Sequence, residues 1–171
     1  NGEDGDHAMA FELNPVVVTS QLITPKNSPS PIPNYPIRKS WYRDTADIKP
    51  YVKHYDLETF LRENYYGVII DYSRGIKPIL VGRAIRSHSV KSAAGPSTTL
   101  VQIYMNGIAI SPAEFSDFYL FNLKLSDIES MIFVQGLSAT PFQQNIGALY
   151  PSPVLMIRTK PYREKDVPYN V

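Results

Sequence analysis

The side chains that could do chemistry are few and far apart. The histidines are His7, His54 and His88. Nucleophilic catalysis needs a nucleophile, a base beside it and a group that orients the base. None of the three lies near a nucleophile signature such as Gly-x-Ser-x-Gly, and they read as surface or partly packed side chains. The chain has no cysteine, which removes disulfides, thiolate catalysis and cysteine zinc sites. It has no His-x-x-x-His pair, and Asp44, Asp47 and Asp56 are too scattered for a calcium loop. Gly67, Gly75 and Gly82 are spaced as strand ends, not as a phosphate-binding loop. Nothing points to a carboxylate pair for hydrolysis. The sequence therefore predicts no catalytic residue, no metal site and no cofactor, and the chain does not read as an enzyme.

Two groups of residues suggest binding instead. Trp41, Tyr42, Tyr51, Tyr55, Tyr65 and Tyr66 could stack on a sugar, as in a carbohydrate-binding module. Packing in the core and at its edge is the favoured reading, because aromatic side chains dominate buried area. Val16, Val17, Val18 and Thr19 form a β-branched run with an extended preference. It reads equally as a docking strand for a partner, or as an edge strand of the domain or a linker relic, since strand addition needs only an accessible extended backbone.

These residues must be positioned by a chain of 171 residues with a formal net charge of +1. That balance offers no electrostatic case for nucleic acid or an anionic membrane. No apolar run approaches the ~20 residues of a membrane-spanning helix. Asn1–Ala10 is polar and acidic and does not read as a signal peptide, as expected either of a mature or trimmed chain or of a cytoplasmic protein. Prolines cluster between Thr24 and Pro36, where missing amide donors forbid a helix or central strand, so this stretch reads as a semi-rigid linker.

Downstream, Asp56–Asn64 reads as a short helix: Asp56 suits the N-cap, and Leu57, Phe60 and Leu61 share one face. Gly67 ends it. Strands are expected over Val68–Tyr72 and Pro78–Ala84, with a polar loop over Ser87–Ser97. Val101, Ile103 and Met105 alternate with polar or aromatic neighbours, and Asn106-Gly107 then separates them from Ile108–Ile110. This is a strong two-residue hairpin signal, because both turn positions need positive φ. Ser111–Leu120 reads as a loop with one helical turn. Ser126-x-x-Glu129 has capping-box spacing and predicts a short helix. Met131–Val134 reads as a buried strand, Ser138–Ala148 as a loop or short helix, and Val154–Thr159 as the last strand.

Three segments, in order, resemble the plug domain of TonB-dependent outer-membrane receptors. They are Leu100–Ile110 with Asn106-Gly107, Leu125–Gly136 with Asp127-Ile128-Glu129-Ser130 and Gly136, and Val154–Lys160 ending in Thr159-Lys160. Val16–Thr19 resembles the segment preceding that plug, and also the TonB box itself. The chain departs from the pattern with Ser152-Pro153 in place of Gly-Gly, with Gln135 where a basic residue is common, and with Gly82 before Arg83 rather than after it. The resemblance implies an α+β fold: a small mixed sheet of about four strands with short helices. It divides the chain into a leader and linker (residues 1–55), a plug-like domain (56–160) and a tail (161–171). It further implies a gating role in substrate uptake at the periplasmic side of the outer membrane. The partner would be a TonB-like energy-coupling protein, or the barrel or other domains of the same precursor; the ligand is unspecified. A barrel-free envelope protein using the domain for protein interaction is the alternative expectation.

Overall fold

The computed structural model describes residues 21–73, 79–83, 98–144 and 151–161. The elements in chain order are β1 (Leu22–Ile23), β2 (Ile37–Arg38), β3 (Tyr42–Asp44), α1 (Thr45–Ile48), α2 (Leu57–Asn64), β4 (Val68–Asp71), β5 (Ile79–Arg83), β6 (Thr98–Leu100), β7 (Gln102–Met105), β8 (Ile108–Ile110), α3 (Pro112–Phe118), β9 (Ile128–Val134) and β10 (Val154–Thr159). Short 3-10 turns join several of them.

The architecture is α+β. Where about four strands were expected in one sheet, a five-stranded sheet of order β3-β9-β10-β7-β8 is accompanied by a three-stranded sheet β4-β5-β6 and a two-stranded ribbon β1-β2. In the five-stranded sheet β10 runs parallel to β7 and antiparallel to β9. Its central strands are buried on both faces. Leu155, Ile157, Met131, Phe133, Ile103 and Met105 enter one apolar cluster, and their alternating neighbours Val154, Met156, Ile132, Val134 and Tyr104 enter the other. The period of two sends successive residues to opposite faces.

Helices cover the first face. Asp56 Oδ1 accepts the Thr59 amide at 2.7 Å, and the expected stripe of Leu57, Phe60 and Leu61 is buried. The segment after β8 forms a longer helix than expected, because Ser111 caps α3 through the Glu114 amide and Pro112 sits in its first turn. Phe115 of α3 and Ile48 of α1 join the same cluster.

The second face is covered by the proline-rich stretch. The semi-rigid linker expected there is instead packed on the fold: Ile32 and Tyr35 lie on the second cluster, Tyr35 meets Phe142 edge-on at 5.0 Å, and the adjoining Ile37 is fully buried. Proline removes donors that a sheet needs, but a covering strap needs none. The folded unit therefore extends upstream of residue 56, with β3 pairing on β9 and Tyr42 buried.

The helix expected from Ser126-x-x-Glu129 does not form. Leu125–Asp127 is a 3-10 turn, and Ile128–Val134 is strand. A capping contact is worth ~1 kcal/mol. Burial of each large apolar side chain contributes roughly 1.5–3 kcal/mol, and β9 buries Ile128, Met131, Ile132, Phe133 and Val134 while pairing on both sides. A capping box does occur at α1, where Asp44 accepts from the Ala46 and Asp47 amides and Asp47 accepts from the Asp44 amide at 3.1 Å.

Candidate functional site

Because β7 and β10 are parallel, both finish at the same end of the sheet, and β8 and β9 start there. This brings Asn106-Gly107, Asp127–Ser130 and Thr159-Lys160 together from segments far apart in the chain. Asn106 (φ 52°) and Gly107 (φ 81°) make the expected two-residue turn. The Asn106 amide donates to the Ile157 carbonyl at 2.8 Å. Its side chain forms a two-point latch: Oδ1 accepts the Thr159 amide at 2.9 Å, and Nδ2 donates to Thr159 Oγ1 at 3.0 Å. The Lys160 amide donates to the Asp127 carbonyl at 2.8 Å, and Lys160 Nζ donates to the Ser126 carbonyl.

Glu129 pairs with Arg158 Nε at 2.8 Å across the β9–β10 ladder. Both are partly exposed, so the pair contributes at most about 1 kcal/mol. Ile128 is fully buried in the first cluster. Ser130 is also fully buried, and its Oγ donates to the Asn27 carbonyl at 2.6 Å, tying the strap to the sheet. The strap and these strand ends enclose an open groove of about 610 Å³, lined by Ser28, Ser30, Asn106, Gly107, Glu129, Arg158, Thr159 and Lys160.

Gly136 is not part of this assembly. It lies beyond the opposite end of β9, at φ 64°, where it opens the 3-10 segment Gly136–Phe142. Beside it, the Gln135 side chain donates to the Tyr66 carbonyl and covers Gly67; a Cβ on Gly67 would lie 2.8 Å from Gln135 Oε1. Gln135, which departs from the family pattern, thus fastens β9 to the turn before β4. Val16, Val17, Val18 and Thr19 lie outside the described residues, as do His7, His88 and the loop expected over Ser87–Ser97.

The aromatic residues do not form one platform. Tyr42 is buried in the second cluster and Tyr65 in the first; Tyr51 and Tyr55 pack on the first, and Arg38 lies 5.1 Å over the Trp41 ring. Tyr66 is the exposed member, at 82%. His54 lies in an exposed turn. Among the described residues no group of three or more His, Asp or Glu side chains could hold a metal ion. Chemically, the groove at this sheet end presents hydrogen-bond donors and acceptors, the cations Arg158 and Lys160 and the carboxylate of Glu129.

Sequence reasoning missed Asn27, Arg158 and the Gln135–Gly67 contact. Arg158 carries the one local signal, as a charged residue just before Thr159-Lys160; the others depend on long-range register. No family model matches the chain, and no curated protein and no solved structure matches it.

Proposed function

We propose that this chain acts as a plug-like gating and docking domain of the cell envelope, at the periplasmic side of the outer membrane, and not as a catalyst. One observation carries the reading. Asn106-Gly107, Asp127–Ser130 and Thr159-Lys160 lie at one end of the central sheet, where Asn106 bonds to Thr159, Lys160 to Asp127 and Glu129 to Arg158. Motif residues that build a sheet end suit a domain that works by fitting against other protein surfaces. A catalytic site would call for polar groups converging on a reacting atom.

In this reading Val16–Thr19 binds the periplasmic domain of a TonB-like energy-coupling protein by adding a strand to its sheet, with main-chain hydrogen bonds supplying the affinity. The ligand-facing partner is the barrel or another domain of the same precursor. A long run of alternating strands after Val171 would identify a transporter, and other modules a barrel-free envelope protein.

The test is a titration of the chain with the C-terminal domain of TonB from the producing cell, followed by amide shifts. Shifts are expected at Val16–Thr19, abolished by Val17→Pro and largely kept by Val17→Ala. No shift at close to millimolar partner overturns the docking role. Recovery of the full-length product from the cytosol of the producing cell overturns the envelope reading.

A further inference from the structure

Asn106-Gly107 forms the exposed tip of the β7–β8 hairpin. An asparagine followed by glycine has a chemistry of its own. The backbone nitrogen of Gly107 can attack Asn106 Cγ: the N–Cγ bond forms, the Cγ–Nδ2 bond breaks, and Nδ2 leaves as ammonia with the amide proton. Water then opens the cyclic imide to aspartate or, through the other carbonyl, to isoaspartate. Glycine offers the attacking nitrogen no side-chain hindrance. The space around this one is open, since a Cβ on Gly107 would meet nothing within 4 Å.

We infer that Asn106 is a conditional deamidation site, protected while its side chain is latched to Thr159 and reactive when the latch opens. Attack requires the carboxamide to turn toward Gly107 N. In the folded chain the carboxamide is held by the Thr159 amide at 2.9 Å and by Thr159 Oγ1 at 3.0 Å, while the Asn106 amide is fixed to the Ile157 carbonyl. The two products differ in effect. Aspartate keeps an acceptor for the Thr159 amide and adds a negative charge to a groove that Arg158 and Lys160 line. Isoaspartate lengthens the backbone by one atom and breaks the Met105–Ile108 register. The inference concerns the same Asn106–Thr159 contact but does not rest on the functional reading above, because it follows from the chemistry of the Asn-Gly pair alone.

The experiment follows Asn106 by site-resolved mass spectrometry in the full chain, incubated in mildly alkaline buffer either folded or in guanidinium. Deamidation is expected to be slower by about tenfold or more in the folded chain, the rate equivalent of breaking two such hydrogen bonds. Thr159→Val, with its fold checked by circular dichroism, should accelerate the folded rate several-fold, and Thr159→Ser should restore it. Equal rates in folded and unfolded chains overturn the inference, as does a folded Thr159→Val variant at the wild-type rate. If Thr159→Val fails to fold, the folded-against-unfolded comparison decides alone.

Discussion

Gly82 of β5 lies directly against the ring of Pro153: a Cβ on Gly82 would sit 2.5 Å from Pro153 Cγ and 3.0 Å from its Cβ. The Pro153 carbonyl accepts the Gln102 amide at 2.8 Å, so the ring is held where β10 begins. This contact joins the three-stranded sheet to the five-stranded one, and it pairs two of the chain's departures from the plug pattern. Gly82→Ala should destabilise by about 1–3 kcal/mol through overpacking against a stiff ring. Pro153→Ala in the same chain should recover part of that loss, a coupling readable in a double-mutant cycle of denaturant midpoints. Strict additivity would show that the ring moves aside freely.

At Gly107 the obstacle is backbone conformation, since φ is 81° and the surrounding space is open. Gly107→Val should destabilise by about 1–3 kcal/mol, because a β-branched residue is forced to positive φ. Gly107→Asn should be far milder, since asparagine tolerates this region. Equal melting temperatures for the two variants would refute the strain account.

Leu155 is fully buried in β10, between β9 and β7. Leu155→Ala should destabilise by about 2–5 kcal/mol. Amides of β10 should exchange only through global unfolding, so rapid exchange at Leu155 would contradict its central place.

The Tyr65 hydroxyl is buried without a hydrogen-bond partner among the described residues. Burial pushes the phenol well above its ordinary value, against the opposing pull of the Arg43 guanidinium, whose Cζ lies 5.7 Å from the ring. Tyr65→Phe removes an unsatisfied group, so it should be neutral or stabilising by up to about 1 kcal/mol. The raised value also has a pH signature. The unfolded chain loses this proton near the ordinary tyrosine value of about 10, whereas the folded chain retains it. Stability is therefore full below that pH and falls as pH rises above it. Tyr65→Phe should flatten that decline in alkaline denaturation; an unchanged slope would mean that the phenol ionises freely in the folded chain.

Asp56 behaves oppositely. The Thr59 amide holds its carboxyl below the usual range, so its contribution is present above that range and fades as pH falls through it. Asp56→Ala should destabilise by about 0.5–2 kcal/mol at neutral pH, and Asp56→Asn by much less, since the acceptor oxygen remains. Thermal unfolding at neutral pH distinguishes them.

The elements legible in the sequence are those that short-range interactions decide. The cap and apolar stripe of α2, the turn at Asn106-Gly107, and the apolar runs of β4 and β10 lie where local chemistry puts them. Around Asp127, Ile128, Glu129 and Ser130 the local capping signal pointed to a helix. Two-sided burial and pairing with β3 and β10 made a strand instead.

Capping, alternation and positive-φ turns act over a few residues, so α2 and the β7–β8 hairpin could be read directly from the order of the amino acids. The tertiary structure alone decided that β7 and β10 run parallel, which gathers Asn106 and Thr159 at one sheet end and leaves Gly136 at the other. It also turned a proline-rich stretch into the cover of a sheet face, and set Gly82 under Pro153. Each of these depends on contacts between residues far apart in the chain, whose free energy comes from burial and pairing and leaves no mark on the spacing of neighbours.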